Sequence, residues 1–133
     1  MKKQKILVLP FASASAISGP SLYTDGGDLL LSMDCDDDGQ IRPTCLRFVK
    51  QRAFRKRSES YCTGWHVVDV FDTVCEVQES EWVSELRADC QPEWRDRWIM
   101  RHFMIYVDSF GCVEVIAELA SLDEIGAKNS GGT

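Results

Sequence analysis

Apolar and polar positions alternate most cleanly over residues 101–119, RHFMIYVDSFGCVEVIAEL, and this period of two predicts a β-hairpin. Asp108 and Cys112 flank Ser109, Phe110 and Gly111, read as a three-residue loop ending in the glycine that a left-handed position favours. In that register Val107 faces Val113, Ile105 faces Val115 and Phe103 faces Ala117, so one side is wholly apolar and belongs to the core. The other side pairs Tyr106 with Glu114, Met104 with Ile116 and His102 with Glu118. It is chemically mixed, and any function carried by this hairpin is expected there.

Upstream, residues 4–9 and 28–35 read as strands, and the acidic run Asp36, Asp37, Asp38 with Gly39 turns the chain. Residues 44–58, entered at Pro43, are extended but lose their two-residue phase near Lys50, which predicts a bulge or break. Residues 61–71, with a bend at Gly64, and the short strand 73–77 follow. The serine- and glycine-rich stretch 12–27 reads as loop, anchored by Ile17, Leu22 and Tyr23. Helix signals concentrate in one place. Ser80 can cap, Glu81 suits the first turn, and Trp82, Val83, Leu86 and Cys90 recur at helical spacing until Pro92 ends the run. A further helical turn from Pro92 sets Trp94 and Trp98 on one face. The order of elements predicts an α+β fold: a mostly antiparallel sheet, curled or half-barrel in the extreme, with one or two short helices packed on its apolar face. Residues 1–125 are expected as a single globular domain and 126–133 as a flexible C-terminal tail.

With 133 residues, 44% of them hydrophobic and 27% charged, the chain can bury a core without staples. Its net charge of −6 argues against bulk affinity for nucleic acid or anionic membrane and suits a basic partner. The longest strongly apolar run, residues 6–9, is far too short to span a bilayer. Lys2, Lys3 and Lys5 before residues 6–11, with Ala12, Ser13 and Ala14, have the outline of a signal peptide, and cleavage there would make the protein exported. Pro10 interrupts that apolar core, so the favoured reading is a first strand in a cytoplasmic protein. The six cysteines show neither CxxC pairs nor metal-ligand spacing and are expected as free thiols; under export, Cys35 and Cys45 are the pair to bridge.

Four constellations carry candidate chemistry. Asp34, Asp36, Asp38, Gly39 and Ile41 reproduce the first half of a calcium loop, but Cys45 stands where the bidentate glutamate belongs, which favours an acidic turn. The basic stripe Arg47, Lys50, Arg52, Arg55, Lys56 and Arg57 reads as a salt-bridged face rather than a nucleic-acid footprint. His102 opposite Glu118, with His66 beside Trp65, offers a histidine–carboxylate pair without a nucleophile motif or phosphate loop. Three of the four tryptophans fall within residues 82–98, more than one helix core needs; core packing is the favoured reading, and a partly exposed Trp94 or Trp98 beside Arg95 and Arg97 is the interface alternative.

From Phe54 to Glu118, the patterns Arg55–Arg57, Cys62 with Thr63, Trp65 with His66, Asp72 with Thr73, Ser80–Trp82, His102–Tyr106, and Gly111 and Cys112 with Glu114–Glu118 resemble small uncharacterised bacterial proteins with no known activity. In size, acidity and tryptophan content the chain is similar to immunity proteins of bacterial toxin systems, and that resemblance implies a protein that binds and blocks a basic nuclease toxin. It transfers no residue roles, and the basic stripe departs from the acidic faces such proteins use. The expected function is therefore non-enzymatic binding of another macromolecule, with a protein as partner and no cofactor. The alternative is a small-ligand site or enzyme on the polar face of the 101–119 hairpin. Candidate binding residues are Arg55, Arg57, Trp65, His66, Trp94, His102, Tyr106, Glu114 and Glu118; none is assigned to catalysis or to a metal.

Overall fold

A computed structural model describes residues 2–123, so the tail expected over 126–133 lies outside the described residues. Strands β1 (Lys2–Val8), β6 (Thr73–Gln78), β7 (Arg101–Val107), β8 (Gly111–Ala117) and β5 (Ala53–Arg57) form one antiparallel sheet in the order β1-β6-β7-β8-β5. Strands β2 (Ser21–Asp25), β3 (Asp28–Asp37), β4 (Gln40–Val49) and β9 (Leu119–Leu122) form a second, in the order β2-β3-β4-β9. The sheets do not close into a barrel. The fold is α+β, as the sequence predicts.

The core lies between the sheets. Odd-numbered Phe103, Ile105, Val107, Val113, Val115 and Ala117 pack against Leu29, Leu31, Leu46 and Phe48 of the second sheet, all of them fully buried. The inward side chains of the terminal hairpin are thus the expected ones, but the second sheet, not a helix, covers them. The helices α1 (Gly64–Val67) and α2 (Glu81–Asp89) lie on the opposite, even-numbered face of the five-stranded sheet, where Met104, Tyr106 and Cys112 join Val70, Cys75 and Val77 in a second buried cluster. That face, expected to be polar and open, is therefore buried.

Both sheets meet at one corner, where two strands bend from one into the other. Lys50 takes φ 53° there, and the ladder runs on through Glu118 N–H to Val49 O (2.9 Å) and Arg52 N–H to Ile116 O (2.7 Å). This is the break expected near Lys50. The β3–β4 turn is the acidic one, with Asp38 and Gly39 both at positive φ (54° and 87°), as a two-residue hairpin demands.

Besides α1, which forms where the sequence reading has only a bend at Gly64, three features of the strands differ from that reading. Residues 21–25, taken as loop, form β2, because Leu22 and Tyr23 pair with Leu31 and Leu30 across a glycine turn. Strand β4 begins before Pro43, which sits opposite Asp34; β9 pairs only from Leu46 onward, leaving Pro43 on a free edge where its missing N–H is tolerated. The terminal hairpin is offset by two residues: Val107 pairs with Gly111 and Ile105 with Val113, with Ser109, not Gly111, at φ 60° in the loop. A shift of two preserves every face while changing every partner.

Candidate functional site

The offset decides the polar cluster. His102 pairs with Ile116, not Glu118, and its ring reaches diagonally to Glu114, Nε2 to Oε1 at 2.7 Å. Glu118 turns away at the corner to Arg52 (3.1 Å) and Lys50 (3.6 Å). The sequence expectation of a His102–Glu118 pair is thus replaced by His102–Glu114, because the loop starts one residue earlier than its glycine implies.

Behind this pair stands Ser80. It precedes α2, accepts the Val83 N–H as a helix cap (3.2 Å), and places its hydroxyl 2.7 Å from His102 Nδ1. The ionised Glu114 can only accept, so Nε2 carries the proton of that bond, while Nδ1 and the Ser80 hydroxyl share the second. Arg55, opposite Glu114 on β5, closes the chain with Nε and Nη2 on the carboxylate at 3.1 and 3.2 Å. Trp82 meets the imidazole edge-on (5.2 Å between centroids), and the Arg55 guanidinium lies 4.0 Å above the indole. Ser80, His102 and Glu114 are all at least nine-tenths buried. Burial alone would raise the Glu114 pKa, but the hydrogen bonds from His102 and Arg55 outweigh it and hold the carboxyl down at about 2.

Two clefts open beside this chain. One, of about 180 Å³, lies against Ser80, Trp82, His102, Glu114 and Arg55. The other, of about 310 Å³, runs between β5 and α1 and is lined by Arg55, Lys56, Arg57, Trp65, His66 and Glu114. His66 is buried, and its Nδ1 accepts the Thr63 N–H at 3.0 Å. Burial and the Arg57 charge push its pKa below the ordinary value. Lys3 of β1 lies 4.1 Å over the Trp65 ring and donates to the Trp65 and Val68 carbonyls, fixing that indole in place.

The structure therefore gathers Arg55, Arg57, Trp65, His66, His102 and Glu114 into one region and leaves three candidates outside it. Tyr106 meets the Phe71 ring at a tilt (5.4 Å, 35°), and burial with a hydrogen bond to Glu59 pushes its hydroxyl up to about 12. Trp94 stacks on Trp98 on the surface, the two 39% and 40% exposed, so the core packing favoured from the sequence is replaced by a surface pair. Glu118 belongs to the corner. Ser80 and Lys3 escaped sequence reasoning: Ser80 was legible only as a cap, and no periodicity links it to His102 across β6 and β7. The basic stripe is largely salt-bridged as expected, with Arg47 between Asp28 (2.7 Å) and Asp123 (3.0 Å). Among the described residues no group of three His, Cys, Asp or Glu side chains is placed to hold a metal ion, which includes Asp34, Asp36 and Asp38. No helix among them is long and apolar enough to cross a membrane. In comparisons with known proteins, no family model, curated protein or solved structure matches the chain.

Proposed function

We propose that this protein works by binding another protein rather than by catalysis, in the manner of an immunity-type inhibitor. The observation that carries the reading is the Trp94–Trp98 pair. The two indoles stack at 6.3 Å and 15° in a segment where residues 91–99 are all exposed, with Ile99 57% exposed beside them. Arg97 lies 4.6 Å over Trp94 and Arg52 lies 4.7 Å over Trp98. Stacked aromatics rimmed by arginine are the composition of interface hot spots, and the pair is already ordered before any partner arrives. Glu93 and Asp96 offset Arg95 and Arg97 beside it, so the preference for a basic partner comes from the net charge of −6 of the whole chain and not from this face. Affinity capture from the source cells tests this. The wild-type protein retains a specific protein that Trp94→Ala with Trp98→Ala loses; retention of nothing, or of the same protein by both, contradicts it.

One observation favours a second reading, an acyl-transfer enzyme: the Ser80–His102–Glu114 relay with both links at 2.7 Å. In that chemistry the Ser80 proton passes to Nδ1 as Oγ bonds the acyl carbon, then returns to the leaving group, while Glu114 holds the imidazolium. Against it, Oγ is 3.2 Å from the Val83 N–H it caps, and Ser80 is only 8% exposed. Labelling of Ser80 by a fluorophosphonate would establish this reading, and its absence at saturating probe would end it.

A further inference from the structure

The β5–α1 cleft has a donor set that neither reading uses. Arg57 spends one N–H, from Nη1, on the Tyr61 carbonyl at 3.2 Å, and makes no salt bridge among the described residues. Arg55 commits Nε and Nη2 to Glu114 and keeps Nη1 uncommitted. His66 turns Nδ1 to Thr63 as an acceptor, so its proton sits on Nε2, which has no hydrogen-bond partner among the described residues. Three different donors thus line one cavity of about 310 Å³. Arg55 and Arg57 project to this side of β5, whereas Lys56 alternates to the other and lies over Phe110, so against Glu114 the cleft keeps one uncompensated positive charge. Trp65, 36% exposed and fixed from behind by Lys3, gives the cavity one flat apolar wall.

We propose that this cleft is a receptor site for a phosphate monoester, with Arg57, Arg55 and His66 donating to the phosphate oxygens and Trp65 covering an organic substituent. A monoester presents three strong acceptor oxygens to the three donor side chains, and its negative charge is attracted by the uncompensated arginine. The forked geometry of the guanidinium suits oxyanions, and a cleft focuses local potential against the acidic background of the chain. The inference does not rest on the partner-binding reading, because an ester can occupy the cleft of a protein that has no partner.

Calorimetric titration of the whole protein with inorganic phosphate and, separately, phenyl phosphate at low ionic strength tests it. Saturable one-to-one binding that weakens at least about tenfold in Arg57→Gln supports the site. Tighter binding of phenyl phosphate assigns an aryl or alkyl ester against Trp65, and equal binding assigns the phosphate ion itself. In the wild type, NMR titration of His66 gives a readout independent of the variant's folding. The groups facing this ring are Arg55 and Arg57 from β5, Lys3 from β1 and Glu114 from β8. A bound dianion raises the His66 midpoint against them. Binding of neither probe with Kd below about 10 mM, binding that Arg57→Gln leaves unchanged, or an unmoved His66 midpoint overturns the proposal.

Discussion

His102 Nε2 and Glu114 Oε1 lie 2.7 Å apart beneath α2, with side-chain exposures of only 4% and 8%. The pair survives burial because its outer atoms are also satisfied, by Ser80 on one side and Arg55 on the other. Glu114→Ala leaves an arginine and a histidine without their acceptor and should cost about 3–5 kcal/mol in urea unfolding. The charge has a pH signature too. The folded carboxyl is held at about 2, below its ordinary 4.5, so between those values the unfolded chain binds the extra proton. Stability should fall as the pH drops through that window. Glu114→Gln should show a shallower fall over the same interval, and parallel profiles for the two proteins would exclude this origin.

Ser80→Ala removes the cap of α2 and the hydrogen-bond partner of His102 Nδ1 in one step. A loss of about 2 kcal/mol is expected, with helix signal lost before sheet signal on heating. A change below about 0.5 kcal/mol would mean that Ser80 carries neither role.

Gly111 opens β8 at φ 125°, and a Cβ built there would stand 2.2 Å from the Arg57 carbonyl oxygen. The contact is with backbone of the neighbouring strand, so no rotamer relieves it. Gly111→Ala should destabilise by more than about 3 kcal/mol or fail to accumulate in soluble form; a variant melting alongside the wild type would show that β5 does not approach so closely.

All six cysteines are free thiols in the structure, and Cys62 and Cys90 are half-buried while the rest are buried. Burial pushes the Cys112 thiol up to about 12 and raises Cys75 as well. Iodoacetamide at pH 8 should therefore modify Cys62 and Cys90 in the native protein and all six after unfolding, as read by mass spectrometry. Native labelling of Cys112, or a mass showing a Cys35–Cys45 bridge, would contradict the fold.

Alternation along β7 and β8 made the core face legible, because a half-buried strand must repeat every two residues. The partner of His102 was not legible, since a two-residue offset leaves that alternation unchanged and the loop glycine pointed to the wrong register. Strand β2 stayed hidden because two apolar residues in a serine- and glycine-rich stretch fall below any periodic signal, and the four residues of α1 are too few to show one. Trp94 and Trp98 could be placed on one face from their spacing. The Ser80–His102 contact belongs to tertiary packing, which spacing does not encode.

The central claim is that the buried chain from Ser80 to Arg55 supports the fold while recognition lies on the exposed indoles. Quantitative capture of the partner by two variants, below the melting temperature of both, tests it most directly. Ser80→Ala should be less stable yet retain the partner within about twofold, whereas Trp94→Ala with Trp98→Ala should keep its stability within about 1 kcal/mol and lose the partner. The opposite pattern, with folded Ser80→Ala unable to bind and the tryptophan variant binding normally, would contradict it.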